Sequence, residues 1–232
     1  VVKYETPVGI ITERDLLSKA VCGRDVHLEK DWLVGGTSIK EEKVEKFMSY
    51  PLITIATNAT IKEAARMMLE KRIRRLGVRN EGRLVGVVTA SDMIRSLPEI
   101  PETMQMWFEV DYFMSKRVIT ADEKTSVCEV ARVMGENRVG SVIITSQGQP
   151  KGIFTERDLL TKLLAKDRPL TMEVGEVCSS PLITAPLGIS VSKAAAIMRG
   201  KGIRRLPIVK DDKIAGIITA RDLLEAYARG KI

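Results

Sequence analysis

The sequence predicts an α/β fold of tandem repeats (α+β repeats), each unit running strand, helix, strand, strand, helix. Three observations predict it. One nine-residue phrase recurs four times. A capped amphipathic helix pattern precedes it three times, and two short β-rich runs joined by turn residues lead into it. Self-similarity along a chain has to be read before any residue is interpreted alone.

The phrase reads Gly9-Ile-Ile-Thr-Glu-Arg-Asp-Leu-Leu, then Gly86-Val-Val-Thr-Ala-Ser-Asp-Met-Ile, Gly152-Ile-Phe-Thr-Glu-Arg-Asp-Leu-Leu and Gly216-Ile-Ile-Thr-Ala-Arg-Asp-Leu-Leu, with starts 77, 66 and 64 residues apart. Units two, three and four open on Pro51-Leu-Ile-Thr, Arg117-Val-Ile-Thr and Pro181-Leu-Ile-Thr, short apolar runs that read as first strands.

A helix signature follows each run. Thr60 precedes Ile61, Ala64, Ala65 and Met68; Ser126 precedes Val127, Val130, Ala131 and Met134; Ser190 precedes Val191, Ala194, Ala195 and Met198. This is i, i+3, i+4, i+7 spacing behind a good N-cap. Thr60-x-x-Glu63 and Ser126-x-x-Glu129 read as capping boxes, whereas Lys193 keeps the Ser190 cap and breaks the box.

The next two strands are expected at Leu76–Arg79 and Leu84–Thr89, Ser141–Thr145 and Gly152–Thr155, and Leu206–Val209 and Ile214–Thr219. Between them lie the turn segments Asn80-Glu-Gly82, Gln147-Gly-Gln-Pro150 and Lys210-Asp-Asp212. The final helix starts at the Thr-x-x-Asp step.

A unit of about 55–60 residues is marginal as an independent fold, so the units are expected to pair. The expected layout is a first pair over 1–97, a connector over 98–112 and a second pair over 113–232. Repeat one is incomplete at 1–22, an insert covers 23–46, and repeat two covers 47–97. Repeats three and four cover 113–168 and 174–230. The insert includes Asp31-Trp-Leu-Val-Gly-Gly-Thr-Ser38, read as a mobile loop. The connector carries the apolar cluster Met104, Met106, Trp107 and Phe108, expected to pack between modules.

Composition narrows the function. Hydrophobic residues make up 44%, charged residues 29% and aromatics 4%, a globular balance whose core is built from aliphatic side chains and ten Met. No apolar run approaches the roughly 18–20 residues of a membrane span, and no secretory signal opens the chain, so a cytoplasmic setting is expected. Cys22, Cys128 and Cys178 form no Cys-x-x-Cys and read as buried free thiols in a reducing compartment. One histidine, His27, leaves no material for a Ser-His-Asp triad or a histidine-rich metal site. The net charge of +7 suits a phosphate-bearing ligand, a nucleic acid or an acidic partner.

The recurring Gly-hydrophobic-hydrophobic-Thr-x-x-Asp and the Ile203-Arg-Arg-Leu-Pro207 segment closely resemble the CBS domain, named for cystathionine β-synthase. Such domains occur as tandem pairs called Bateman modules. The resemblance covers nearly the whole chain outside the insert and connector. Its four-repeat layout is similar to that of the nucleotide-sensing subunit of AMP-activated protein kinase. The resemblance implies two Bateman modules and a ligand-sensing role without catalysis. Family ligands include AMP, ADP, ATP, S-adenosylmethionine and NAD-type molecules.

The Thr-x-x-Asp residues suit both a helix cap and a nucleotide. Thr caps and Asp sits at N3, where the positive end of the helix dipole favours it. The same geometry offers N–H groups and a hydroxyl to phosphate, and a carboxylate to a ribose diol. The resemblance implies that Asp holds ribose and that basic residues reach the partner repeat's phosphates. Arginine suits that task through its bidentate fork. Repeat two carries Arg74 and Arg75 and repeat four Arg204 and Arg205, where repeat three has Gly140 and Ser141.

The first expected site is therefore Thr120, Thr155, Arg157 and Asp158, with Arg204 and Arg205 crossing from repeat four. The second is Thr184, Ile203, Pro207, Thr219 and Asp222, with less charge opposite it. Thr12 and Asp15 are expected to face Arg74 and Arg75. Thr54, Thr89 and Asp92 form the remaining cleft, where Gly77 stands in place of Pro207. The expected ligand is AMP, ADP or ATP, and the expected partner is another protein or a second copy, with no membrane. S-adenosylmethionine binding, nucleic-acid binding on the basic surplus, and a non-binding structural pairing module are the open alternatives. No general base, activated nucleophile or metal cluster accompanies the Asp residues, which argues against an enzyme.

Overall fold

A computed structural model describes residues 1–4, 6–17, 33–34, 37–38, 42–96 and 109–229. The expectations for Cys22, His27, Trp32, Met104, Met106, Trp107 and Phe108 lie outside the described residues. Packing divides the chain into two compact units, Val1–Pro51 with Ile119–Leu182, and Leu52–Val118 with Ile183–Ile232.

Each complete repeat builds the same three-stranded sheet. In repeat two, β5 (Thr54–Ala56) runs parallel to β6 (Arg75–Asn80), which pairs antiparallel with β7 (Arg83–Thr89). Repeat three repeats the order with β8 (Thr120–Asp122), β9 (Ser141–Ser146) and β10 (Gln149–Thr155). Repeat four uses β11 (Ala185–Pro186), β12 (Arg205–Lys210) and β13 (Lys213–Thr219). Two short ribbons precede them: β1 (Val2–Lys3) with β2 (Thr6–Pro7), and β3 (Leu33–Val34) with β4 (Thr37–Ser38).

The first strands begin later than expected. The Leu-Ile pairs of Pro51-Leu-Ile-Thr and Pro181-Leu-Ile-Thr are entry segments, and pairing starts at Thr54, Thr120 and Ala185. The parallel ladder opens from the carbonyls of Ile53 and Ile119, which accept from Gly77 N and Ile143 N at 3.0 Å each.

Hairpins form where turn residues were expected, through two-residue loops at 81–82, 147–148 and 211–212. All six of these residues have positive φ, the conformation whose twist matches that of the flanking strands. Asp212 adopts it at φ 58°, which a short polar side chain tolerates better than a branched one. Pro150 was expected in the turn but lies inside β10, where the register shifts between Pro150 and Gly152. A bulge is a place in a sheet where a residue without N–H fits.

The first helices span Ile61–Glu70, Val127–Glu136 and Val191–Lys201 behind Thr60, Ser126 and Ser190. Thr60 and Glu63 form the full capping box. Ser126 accepts from Glu129 N, yet the reverse arm of its expected box is missing. The orphan amides of that first turn are met from elsewhere, Val127 N by Met172 O and Cys128 N by Leu170 O, both at 2.9 Å. Glu129 pairs instead with Arg132.

The cores follow the helical spacing. In the first unit Val127, Val130, Ala131 and Met134 pack with Val142, Ile144, Phe154, Leu159 and Leu163. In the second, Val191, Ala194, Ala195 and Met198 pack with Leu206, Ile208, Ile218 and Leu223. Ala64, Ala65 and Met68 pack with Leu76, Met93 and Leu224, which joins repeat two to the last helix of repeat four inside that unit. Each large side chain fully buried here contributes about 1.5–3 kcal/mol of transfer free energy.

A lead-in segment precedes each first strand and pairs with the recurring phrase of a sister segment. Ser49 exchanges both backbone hydrogen bonds with Ile10, at 2.7 and 3.0 Å, Ser179 with Ile153 at 2.8 and 3.0 Å, and Ser115 with Ile217 at 2.9 Å twice. The phrase glycines make room for it. A Cβ added at Gly9, Gly152 or Gly216 would stand 2.7, 2.7 or 2.9 Å from the carbonyl oxygen of Ser49, Ser179 or Ser115. At Gly86 it would meet nothing within 4 Å, and the flanking Val85 and Val87 are exposed.

Candidate functional site

Each of the four phrases starts a helix just after its Thr, three of them at the end of a strand (β7, β10 and β13), and the structure gives all four steps the same local chemistry. The helix starts are Glu13–Leu16, Ala90–Ser96, Glu156–Asp158 and Ala220–Arg229. In repeat three the helix continues through a π turn, Leu159–Leu163. The Asp three residues on closes the cap from the other side. Asp Oδ2 accepts from the Thr backbone N–H at 2.8, 2.9, 2.9 and 2.7 Å for Thr12–Asp15, Thr89–Asp92, Thr155–Asp158 and Thr219–Asp222. The same oxygen accepts from the Thr hydroxyl at 2.6, 2.7, 2.6 and 2.8 Å. One carboxylate oxygen is thus consumed by the cap in every repeat.

The other oxygen differs from repeat to repeat. Ser49 Oγ donates to Asp15 Oδ1 at 2.7 Å. Ser179 Oγ donates to Asp158 Oδ1 at 3.0 Å, and Lys162 Nζ reaches the same oxygen at 2.7 Å. Arg95 pairs with Asp92 Oδ1. Asp222 has its Thr219 cap and, among the described residues, no further hydrogen bond or ion pair. Ser115, whose backbone sits on β13 as Ser179 sits on β10, turns its hydroxyl to Arg117 O at 3.2 Å. These serines escaped the sequence reading. The recurrence of Met48-Ser49, Met114-Ser115 and Cys178-Ser179 ahead of three first strands is the signal that could have found them.

Electrostatics separate the carboxyls further. The Thr89 hydroxyl, and after it Arg95, hold the Asp92 carboxyl below its ordinary value. Burial pushes the Asp222 carboxyl above its ordinary value, and nearby Glu225 adds to that rise. Asp15 and Asp158 are only 8% and 6% exposed. Burial likewise raises the half-buried free thiols Cys128 and Cys178. Among the described residues no group of three or more His, Cys, Asp or Glu is arranged to hold a metal ion, and no helix is long and apolar enough to cross a membrane.

Backbone register brings the arginines to the caps of their own repeats. Arg75 is the direct strand partner of Thr89, and Arg205 that of Thr219, whereas Ser141 stands opposite Thr155. The first helical amide of each step donates to the residue before: Ala90 N to Arg74 O and Ala220 N to Arg204 O at 3.0 Å, Glu156 N to Gly140 O at 3.2 Å. Arg74, Arg75, Arg204 and Arg205 are half-buried, and each makes interactions within the protein beyond these backbone ones. Thr54 pairs with Gly77 and Thr120 with Ile143 on the parallel ladders. Pro207 is buried opposite Ile217; Ile203 is half-buried; Thr184 and Arg157 are exposed.

The expected site residues fall in two groups. Thr12, Asp15, Thr120, Thr155, Arg157 and Asp158 belong to the first unit. Thr54, Arg74, Arg75, Thr89, Asp92, Thr184, Ile203, Arg204, Arg205, Pro207, Thr219 and Asp222 belong to the second.

Comparison with known proteins gives this pattern a family. The model described as the CBS domain matches residues 44–99, 109–165 and 174–229. Three repeats are therefore matched, and the first phrase lies outside them. The chain is 40% identical over 111 residues, 47% of its length, to a Methanopyrus kandleri protein. It is 33% identical over 110 residues to the Bacillus subtilis CBS domain-containing protein YhcV, covering 47% of this chain and 79% of that one. It spans 57% of the Methanopyrus relative's length and 39% of that of a Methanocaldococcus jannaschii relative. Among solved structures it is similar to protein MJ1225 of Methanocaldococcus jannaschii, described as a proposed archaeal homolog of g-AMPK. That likeness has a TM-score of 0.74 at 26% identity, over 95% of this chain and 83% of that one.

Proposed function

We infer function from one premise: the chain belongs to the CBS domain family. The mixed α/β repeats are those typical of CBS domains, and the likeness to a g-AMPK homolog suggests a regulatory, ligand-binding role. We propose that the ligand is an adenine nucleotide, AMP, ADP or ATP, and that the protein is a sensor rather than an enzyme. The observation that carries this reading is the fourfold Thr–Asp cap. It sets a carboxylate and a hydroxyl beside the N–H groups of a helix start, in three of the four steps at the end of a strand. Carboxylate oxygens accept from a ribose diol, and helix-start amides favour phosphate.

In this reading repeats one with two, and three with four, form the Bateman modules. The lead-in docking supports that pairing, because the segment that enters repeat four lies on repeat three and the segment that enters repeat three lies on repeat four. Arg204 and Arg205 are the phosphate-binding cations for the second module, and Arg74 and Arg75 those for the first. The first phrase, within residues 1–22, is read as belonging to a fourth repeat.

Signalling follows if the nucleotide binds one arrangement of the repeats better than another, since only differential affinity moves such an equilibrium. The receiver is a protein partner or a second copy, in a cytoplasmic setting.

Calorimetric titration with AMP, ADP, ATP and S-adenosylmethionine tests the reading, repeated on Arg204→Ala/Arg205→Ala. Binding of the adenine nucleotides, with an arginine loss that grows with phosphate number, is the expected result. Binding of S-adenosylmethionine alone, or of no ligand, would sink it.

A further inference from the structure

The four Thr–Asp caps share one geometry but not one availability. In repeat three the second oxygen of Asp158 is covered twice, by Ser179 Oγ at 3.0 Å and by Lys162 Nζ at 2.7 Å, and the lysine also donates to the serine at 3.1 Å. In repeat one Ser49 covers Asp15 at 2.7 Å. In repeat two Arg95, three residues after Asp92, covers it from the same helix. Repeat four lacks each device. The residues three and four after Asp222 are Glu225 and Ala226, an anion and a small apolar side chain. Its lead-in serine, Ser115, is in place on the backbone and bonded to Ile217 in both directions, but its hydroxyl is spent on Arg117 O.

From this we infer that the lead-in serine is a gate on the cap carboxylate, closed by Ser49 and Ser179 and open at Ser115, so that Asp222 is the carboxylate that receives a nucleotide's ribose. The inference rests on the nucleotide reading and decides which repeat carries it out. A diol needs an acceptor with lone pairs to spare. Among the described residues Asp222 keeps one oxygen without a side-chain or backbone donor, whereas Asp15, Asp92 and Asp158 must each first lose a serine, arginine or lysine contact. A contact to a charged group is worth about tenfold or more in affinity, so displacing one erases most of what the diol would gain. Thr219, Arg205 and Asp222 then lie together at one strand-to-helix step, with Arg205 directly across the ladder from Thr219.

The test is calorimetry on the full chain with AMP and 2′-deoxy-AMP. The unmutated protein is expected to bind AMP at one dominant site and to bind the deoxy analogue about tenfold or more weakly. Asp222→Asn should remove the preference and weaken AMP by a similar factor. Because Asp222 also caps a helix, Glu225→Arg is a second probe. It keeps the carboxylate, supplies the cation that Arg95 gives Asp92, and should weaken AMP likewise. Ser179→Ala/Lys162→Ala should open a second event of comparable strength. AMP binding that survives Asp222→Asn and Glu225→Arg but is lost with Asp158→Asn or Asp15→Asn overturns the gate and leaves the nucleotide reading standing. Absence of any heat with AMP, ADP or ATP overturns both.

Discussion

Arg14 Nε donates to Glu156 Oε1 at 3.1 Å, so the Thr-Glu-Arg-Asp step of the first phrase is tied to the same four residues in repeat three. The pair is lopsided, with the Arg14 side chain 46% exposed and that of Glu156 5%. Removing the arginine takes a charged partner from a buried carboxylate, whereas removing both charges also removes the cost of burying that carboxylate. Arg14→Ala is expected to cost about 1–2 kcal/mol, discounted for the exposed partner, and R14L/E156L less than about 1 kcal/mol. Urea unfolding of the two variants gives the comparison; equal losses would show that the contact contributes through packing alone.

The glycine of the recurring phrase marks where a lead-in segment passes. Gly152→Ala would drive a methyl toward Ser179 O at 2.7 Å, a backbone atom that cannot swing aside. The expected loss is about 1–3 kcal/mol, the range for overpacking. Gly86→Ala meets open space and should be neutral, or stabilising by about 0.4–1 kcal/mol through the unfolded chain. Thermal unfolding of the two variants side by side reads the contrast. Equal behaviour would mean that the lead-in on β10 can move.

Arg79 sits at the register shift between β6 and β7, with a buried Nε that has no hydrogen-bond partner among the described residues. The matching positions in repeats three and four hold Thr145 and Val209. Arg79→Val therefore removes an unsatisfied donor and installs a residue that the fold already uses there. It should leave stability unchanged or raise it by about 1 kcal/mol. A loss above that size in urea would show that the guanidinium is needed elsewhere.

What the residues betrayed, and what they hid, follows the range of the interactions. Thr60, Ser126 and Ser190 announce their helices because a cap is a contact over three residues, and Gly82 and Gly148 announce their hairpins for the same reason. The Thr-x-x-Asp caps were legible as chemistry because strand, cap and helix adjoin in sequence. Beyond that range the reading lost hold. Glu129 fits a capping box, yet Leu170 and Met172 satisfy that helix start from more than 40 positions away, so the box is redundant. Ser179 looks like a polar residue ahead of a strand; only the pairing with Ile153 aims it at Asp158. The difference between Asp222 and its three counterparts is half written in the sequence, in Glu225 against Lys162 and Arg95. The other half, the turn of one serine hydroxyl, is fixed by tertiary packing.

Asp222 and Asp92 should respond to pH in opposite directions, although both cap a helix in the same way. The Asp222 carboxyl is raised above its ordinary value of 3.8 by burial, so the folded chain keeps a proton there that the unfolded chain has released. That group's contribution to stability falls as pH rises from about 4 through the raised value. The Asp92 carboxyl is lowered from 3.8, first by the Thr89 hydroxyl. Its contribution is present above about pH 4 and is lost as pH falls through the lowered value. Urea midpoints measured between about pH 3 and pH 7 on Asp222→Asn and Asp92→Asn isolate the two terms. Relative to Asp222→Asn, the unmutated protein should lose stability as pH rises above about 4. Relative to Asp92→Asn, it should hold level above about pH 4 and lose stability as pH falls below it. Parallel profiles for both variants would mean that Asp222 is as well solvated as Asp92. The oxygen offered to a ribose would then already be occupied by water, and the preference for AMP over its deoxy analogue would shrink with it.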